Sequence, residues 1–211
     1  MGVQLEMTRE RASGFTALEL VLVLGLIATL TAVVGWGLRD SGTAARADAA
    51  ALQAAAVIRS ARIHAILGRA ESRVLVADSP VDPERHRRVF TIVVRDARDP
   101  SRWAAVRGEL LLPEGIRFLE DANRAGGEMR LTYPCNHPVE EGRGPLWTYY
   151  AFTAAGEFRS PGAVFRFGPD PQSGRPDSSG PSGTEGGEPI AGFYVSRIGA
   201  VEMITDPEEL R

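Results

Sequence analysis

Residues 13–40 read SGFTALELVLVLGLIATLTAVVGWGLRD, and this stretch decides how the rest of the chain is organised. From Leu20 to Leu38 no side chain carries a charge. As a helix those residues extend roughly 28 Å, close to the hydrocarbon thickness of a bilayer. A cleaved secretory signal has a shorter apolar core followed by a small-residue cleavage site. Here the run is longer and Arg39-Asp40 follow it directly, so a retained membrane span is expected. Arg9 and Arg11 precede the span, and Glu6 and Glu10 balance them. The two arginines are a weak positive-inside signal that favours the N-terminus on the cytoplasmic side.

Glu19 breaks the pattern. A carboxylate inside a bilayer costs about 2.5–3.5 kcal/mol and normally has a partner. No Lys or Arg lies between Glu19 and Arg39. A cut between Gly14 and Phe15 would create one, because the new α-amino group of Phe15 is a cation. It would pair with the Glu19 of its own chain or of a neighbouring subunit, and in a low dielectric the unpaired state is costly.

The phrase GFTALEL resembles the type IV prepilin signature: a glycine, a new N-terminal phenylalanine and a glutamate at the fifth mature position. The resemblance implies cleavage after Gly14 by a prepilin peptidase, N-methylation of Phe15, and Glu19 as the assembly glutamate. The leader is nearly neutral, whereas leaders of that family are usually basic.

Beyond Arg39, the sequence DSGT reads as a break or kink. Ala44 to Ala70 is alanine-rich and free of proline, so a helix is expected there. Leu52, Ala56, Ile63 and Leu67 fall on one face, which is expected to pack on a globular domain; Gln53, Ser60 and His64 form a polar stripe. From Arg73 the pattern changes to short runs rich in Val, Ile, Phe and Tyr. RVLVA, RRVFTIVVRD, GELLL, GIRFLE, EMRLTY, WTYYAFTA, AVFRFG, GFYVSR and AVEMIT are bounded by turn residues and predict strands. The segment from Gly168 to Pro189 is polar and rich in Gly, Pro and Ser, as expected of a mobile loop.

The expected fold is therefore α+β: a long N-terminal helix, membrane-spanning in its first half, followed by a mostly antiparallel, pilin-like β-domain. The expected divisions are a leader over 1–14, the membrane half of the helix over 15–38, its periplasmic half over 39–70, and a periplasmic β-domain over 71–211 with the loop at 168–189. LPEGIRF, YYAFTAAGEFRSPGAVFRFG and FYVSRIGAVEM resemble the β-domain of the H-type minor pseudopilins of type II secretion and of related minor type IV pilins. In these, F-x-x-x-G (Phe152 to Gly156) marks a hairpin and S-R-x-G (Ser196 to Gly199) leads the last strand.

With 211 residues, a net charge of −3 and one cysteine, the chain has no global attraction to nucleic acid and no intrachain disulfide. Arg85, Arg87, Arg88, Arg95, Arg98 and Arg102 form the basic stretch best suited to DNA, but Asp82, Glu84, Asp96 and Asp99 are interleaved with them, and no nucleic-acid partner is expected. Of the three histidines, His64 reads as a helix-surface residue and His86 as part of a solvated turn. Cys135 and His137 supply too few ligands for a closed zinc site. Asp170, Asp177, Glu185 and Glu188 are too loosely spaced for calcium. No phosphate-binding loop, nucleophile elbow or dinucleotide fingerprint occurs. No enzyme activity, metal or cofactor is expected.

The resemblance implies a minor pseudopilin in the pseudopilus of a type II secretion system, or alternatively a minor type IV pilin that initiates pilus assembly or binds DNA during uptake. It would be a single-pass inner-membrane protein whose C-terminal domain faces the periplasm. Its partners would be other pseudopilins or pilins, the prepilin peptidase, the inner-membrane assembly platform and the membrane itself.

Overall fold

The computed structural model describes residues 17–106, 108–119, 125–160, 163–170, 190–204 and 210, and for 31–41 the backbone alone. Gly14, Phe15 and the leader lie outside the described residues, as do 171–189 of the expected loop. Among the described residues one helix, α1 (Ala17–Gly68), precedes eleven strands. The chain divides into two compact units, Met1–Ser41 and Gly42–Arg211.

In the first unit, α1 opens with Glu19 in its first turn. The side chains from Ala17 to Leu30 are exposed, among them Leu18, Val21 and Leu22. The expected membrane-spanning half of the helix is corrected here, and with it the single-pass inner-membrane placement. Among the described residues, no helix is long and apolar enough to cross a membrane. The apolar stretch with described side chains, Ala17 to Leu30, falls short of the roughly 20 residues a span requires.

In the second unit, two antiparallel sheets and the remainder of α1 enclose the main core. The first sheet contains β1 (Ser72–Ala77), β2 (Val89–Arg95), β3 (Arg102–Ala105), β4 (Leu110–Leu111), β6 (Gly127–Arg130), β7 (Val139–Glu140) and β8 (Leu146–Phe152). Its order is β6-β8-β1-β2-β3-β7, with β4 on β2. The second sheet runs β11-β10-β9-β5, from β5 (Ile116–Leu119), β9 (Val164–Pro169), β10 (Ala191–Val195) and β11 (Val201–Ile204). Arg87 stitches the two sheets together. In a left-handed conformation (φ 56°), its N–H donates to the Ala77 carbonyl at 2.7 Å and its carbonyl accepts the Phe118 N–H at 2.8 Å.

Alternation along the strands assigns the side chains. Val74, Val76, Phe90, Ile92, Tyr150 and Phe152 of the first sheet meet Phe118, Phe165, Phe167 and Phe193 of the second in one cluster. On the opposite face of the first sheet, Leu75, Val93, Trp103, Met129, Leu131, Cys135 and Trp147 form a separate cluster. β1 is therefore buried on both faces.

The helix meets the core through alanine. Ala47, Ala50, Ala51, Ala54, Ala55, Ala61 and Ala65, with Val57 and Ile58, are buried in the main cluster. The face expected to pack points outward instead: Leu52, Ala56, Ile63 and Leu67 are all exposed. Volume explains the inversion. The sheets supply so many large aromatic rings that only small residues let the helix approach at close-packed density. DSGT, read as a break, lies inside α1.

Candidate functional site

The sequence-derived site reduces, among the described residues, to Glu19. Its position suits a carboxylate, because the first-turn amides of a helix carry partial positive charge. Around it the helix presents Leu18 (78% exposed), Leu20, Val21, Leu22 and Leu24 to its surroundings. Thr29 satisfies its own hydroxyl by donating to the Leu26 carbonyl at 2.9 Å. The result is an apolar helical surface with a single acidic group near its start.

In the second unit, the two weak C-terminal phrases converge. The F-x-x-x-G and S-R-x-G turns stack on one another: the Phe158 N–H donates to the Arg197 carbonyl at 2.9 Å. The Gly156 N–H closes its turn on the Thr153 carbonyl and the Gly199 N–H closes its own on the Ser196 carbonyl, each at 2.8 Å. Both glycines have positive φ, 80° and 78°. Arg62 of α1 reaches these turns, and its Nε donates to the Gly156 carbonyl at 3.2 Å. Ile66 packs so close that a Cβ at Gly156 would lie 2.7 Å from its Cδ1. The sequence marked the glycines; it carried no sign of Arg62 as the residue that receives them.

A second cluster was not legible at all. The Arg73 guanidinium lies between the rings of Trp103 (4.1 Å to the centroid) and Tyr149 (4.0 Å). It bonds to Glu71 at 2.9 Å and to Glu141 at 3.2 Å. Trp103 Nε1 donates to Glu141 at 3.0 Å, and Arg95 pairs with Glu71 at 3.0 Å. Aromatic walls with carboxylates would take a cation as ligand. Here the chain's own Arg73 fills that place, so the cluster is structural.

The arginines considered for nucleic acid are largely neutralised. Arg85 pairs with Asp82 and Glu109, Arg87 with Asp78, Arg95 with Glu71 and Arg102 with Asp99. Arg88 donates to the carbonyls of Glu84 and Leu112. His86 is half-buried rather than solvated, its Nδ1 3.9 Å from Asp78. Burial, chiefly, and the neighbouring Arg87 hold its pKa below the usual histidine value.

Chemistry has little to work with. Cys135 is buried while His137 is exposed, so the two do not face a common point. Burial pushes the Cys135 thiol pKa up, away from the reactive thiolate. Asp170 forms a buried pair with Arg117 at 2.6 Å; the other acidic residues considered for calcium lie outside the described residues. Among the described residues no group of three or more His, Cys, Asp or Glu side chains is placed to hold a metal ion. A cavity of about 330 Å³ lies beside Val81, Arg85, Tyr133 and Trp147. An open groove of about 610 Å³ follows Arg88, Leu111, Glu114, Arg117 and Asp170. In the cavity Arg85 is drawn into its pairs with Asp82 and Glu109; in the groove Arg117 is drawn into its pair with Asp170, and Arg88 donates to backbone carbonyls.

No family model matches the chain, and no curated protein does. Among solved structures, the chain is similar to the crystal structure of the minor pseudopilin EPSH from the type II secretion system of Vibrio cholerae. Identity is 14%, the alignment covers 75% of this chain and 93% of that one, and the TM-score is 0.39. This is a distant structural likeness to a minor pseudopilin and not a family assignment.

Proposed function

We propose that the chain is a minor pseudopilin, a structural subunit of the pseudopilus of a type II protein secretion system, and that it is not an enzyme. The observation that carries this reading is the first half of α1, an exposed apolar helical surface whose described side chains include one ionisable group, Glu19. Apolar area of this extent on a single chain marks an interaction surface. The phrase GFTALEL adds that the surface begins where a prepilin peptidase would cut. On this reading the peptidase cleaves after Gly14 and Phe15 becomes the methylated N-terminus. Glu19 then pairs with the Phe15 amine as the helix joins those of other pseudopilins on an assembly platform.

The test is incorporation. Glu19→Ala is expected to leave the chain folded and processed but missing from filaments sheared from cells, while Glu19→Asp retains partial incorporation. Mass spectrometry of the mature chain is expected to show an N-methylated Phe15. Normal incorporation of Glu19→Ala, or an N-terminus elsewhere, would sink the reading. A deletion strain that loses pili or DNA uptake while secretion continues would move the chain to a type IV pilus.

A further inference from the structure

We propose that the end of α1 and the two turns stacked on it form a docking surface for an acidic, aliphatic segment of a partner protein. The surface is built from Arg59, Arg62 and Ile66, which follow one another along the helix at three- and four-residue spacing, Arg69 in the turn that ends the helix (φ 49°), and Arg197 and Ile198 of the last turn. Residues at that spacing share a face. Arg62 ties the helix to the turns: a Cβ at Gly199 would lie 2.7 Å from its Cδ, and Gly156 accepts its Nε–H. Ile198 is therefore next to the helical ridge, through Gly199.

Two properties characterise this region. First, its aliphatic side chains face outward: Ile66 is 43% exposed and Ile198 is 68% exposed, with Ile63 exposed beside them. Second, its cations are uncompensated. Arg59, Arg69 and Arg197 are exposed, and none of them, nor Arg62, is in an ion pair among the described residues. Glu157 is exposed in the Gly156 turn, and Glu71, two residues past Arg69, is drawn into its pairs with Arg73 and Arg95. The contrast lies within the same molecule, because Arg73, Arg85, Arg87, Arg95, Arg102 and Arg117 all have carboxylate partners.

Charge complementarity thus calls for carboxylates, and the isoleucines call for aliphatic contact between them. A phosphate backbone would answer the arginines but leave the isoleucines uncovered, and the patch offers no aromatic ring for a base to stack on. An interfacial membrane helix buries a continuous apolar face beneath its charges; here Ile66 and Ile198 alternate with arginines, one on the helix and one in a turn. A protein segment with Glu or Asp flanking Leu or Ile satisfies both components. The surface is rigid, since its turns are closed by their own hydrogen bonds, so little ordering opposes binding. The proposal is independent of Glu19 and of filament membership.

The test uses the full chain and a labelled synthetic helix bearing Glu and Leu, with a Lys/Leu helix, a DNA duplex and anionic phospholipid vesicles as competitors in kind. Binding of the Glu/Leu helix is expected to weaken with salt. It should fall about tenfold or more in Arg59→Glu/Arg197→Glu, a loss equivalent to about 1.4 kcal/mol. Ile198→Asn is expected to weaken it as well, with an unchanged denaturation midpoint showing that each variant is folded. Equal binding of the Lys/Leu helix, or no response to the variants, would overturn the proposal. So would arginine-dependent binding of DNA or vesicles in place of the Glu/Leu helix. Self-association of the chain that disappears in the double arginine variant would put a second copy there instead, and would overturn it too.

Discussion

Arg62 occupies the space a side chain would need at Gly199. A Cβ there would meet Arg62 Nε at 2.9 Å and the Gly156 carbonyl oxygen at 2.9 Å, as well as Arg62 Cδ. Arg62 can swing away; the backbone oxygen cannot. With φ at 78°, Gly199 also sits where L side chains are strained. Gly199→Ala is therefore expected to destabilise the chain by about 1–3 kcal/mol in urea titrations. A neutral outcome would mean that the turn is not held against the helix as described.

Removal of Arg73 should be more damaging than its single charge suggests. Its side chain is only 9% exposed, and Glu71, at 10%, depends on it and on Arg95. Arg73→Ala leaves that carboxylate with Arg95 alone and opens the gap between Trp103 and Tyr149, at an expected cost of roughly 3 kcal/mol. Loss of near-ultraviolet circular dichroism from Trp103 should accompany it. Arg73→Met, which keeps bulk between the rings, is expected to recover the aromatic signal in part and the stability less.

His86 should make stability depend on pH. Burial and Arg87 lower its pKa in the folded chain below 6.5, its value when solvated. The unfolded chain therefore binds a proton first as pH falls, and its contribution to stability is lost between about pH 6.5 and the folded-state pKa. Denaturant midpoints should drop over that window in the native chain and drop less in His86→Gln. An equal slope in both would assign the dependence to other groups.

Cys135 should behave as a buried thiol. It is 2% exposed, and burial holds its pKa up. Iodoacetamide at neutral pH is expected to leave it unmodified in the folded chain and to alkylate it in denaturant. Rapid native labelling would place it at the surface.

The strand pattern was readable because its cause is local. β1, β2, β8, β9, β10 and β11 fall on runs of β-branched and aromatic residues between turn signals. β3 and β7 were missed. The sequence of β3, RWAA, has two alanines, and only Trp103, buried against distant residues, earns it a place in the sheet. β7 is two residues long, Val139 and Glu140. The helix itself was legible; its buried face was not. Large apolar residues ordinarily mark the core, but how much volume the helix must supply depends on the rings across from it. Phe165, Phe167 and Phe193 lie more than 90 residues further along the chain. The membrane reading failed for a related reason: an apolar run shows that water is disfavoured, not what replaces it.

The alanine face has a mechanical consequence. Side chains that interdigitate fix a helix both sideways and along its axis, whereas a face of methyl groups resists separation but offers little friction to sliding. Axial position in the second unit then rests on few features: Val57 and Ile58, buried among the rings, and Arg62 latched to the Gly156 carbonyl. The helix behaves as a rod in a smooth sleeve with few detents, and tension along it would be borne at those few points and not spread over the whole face.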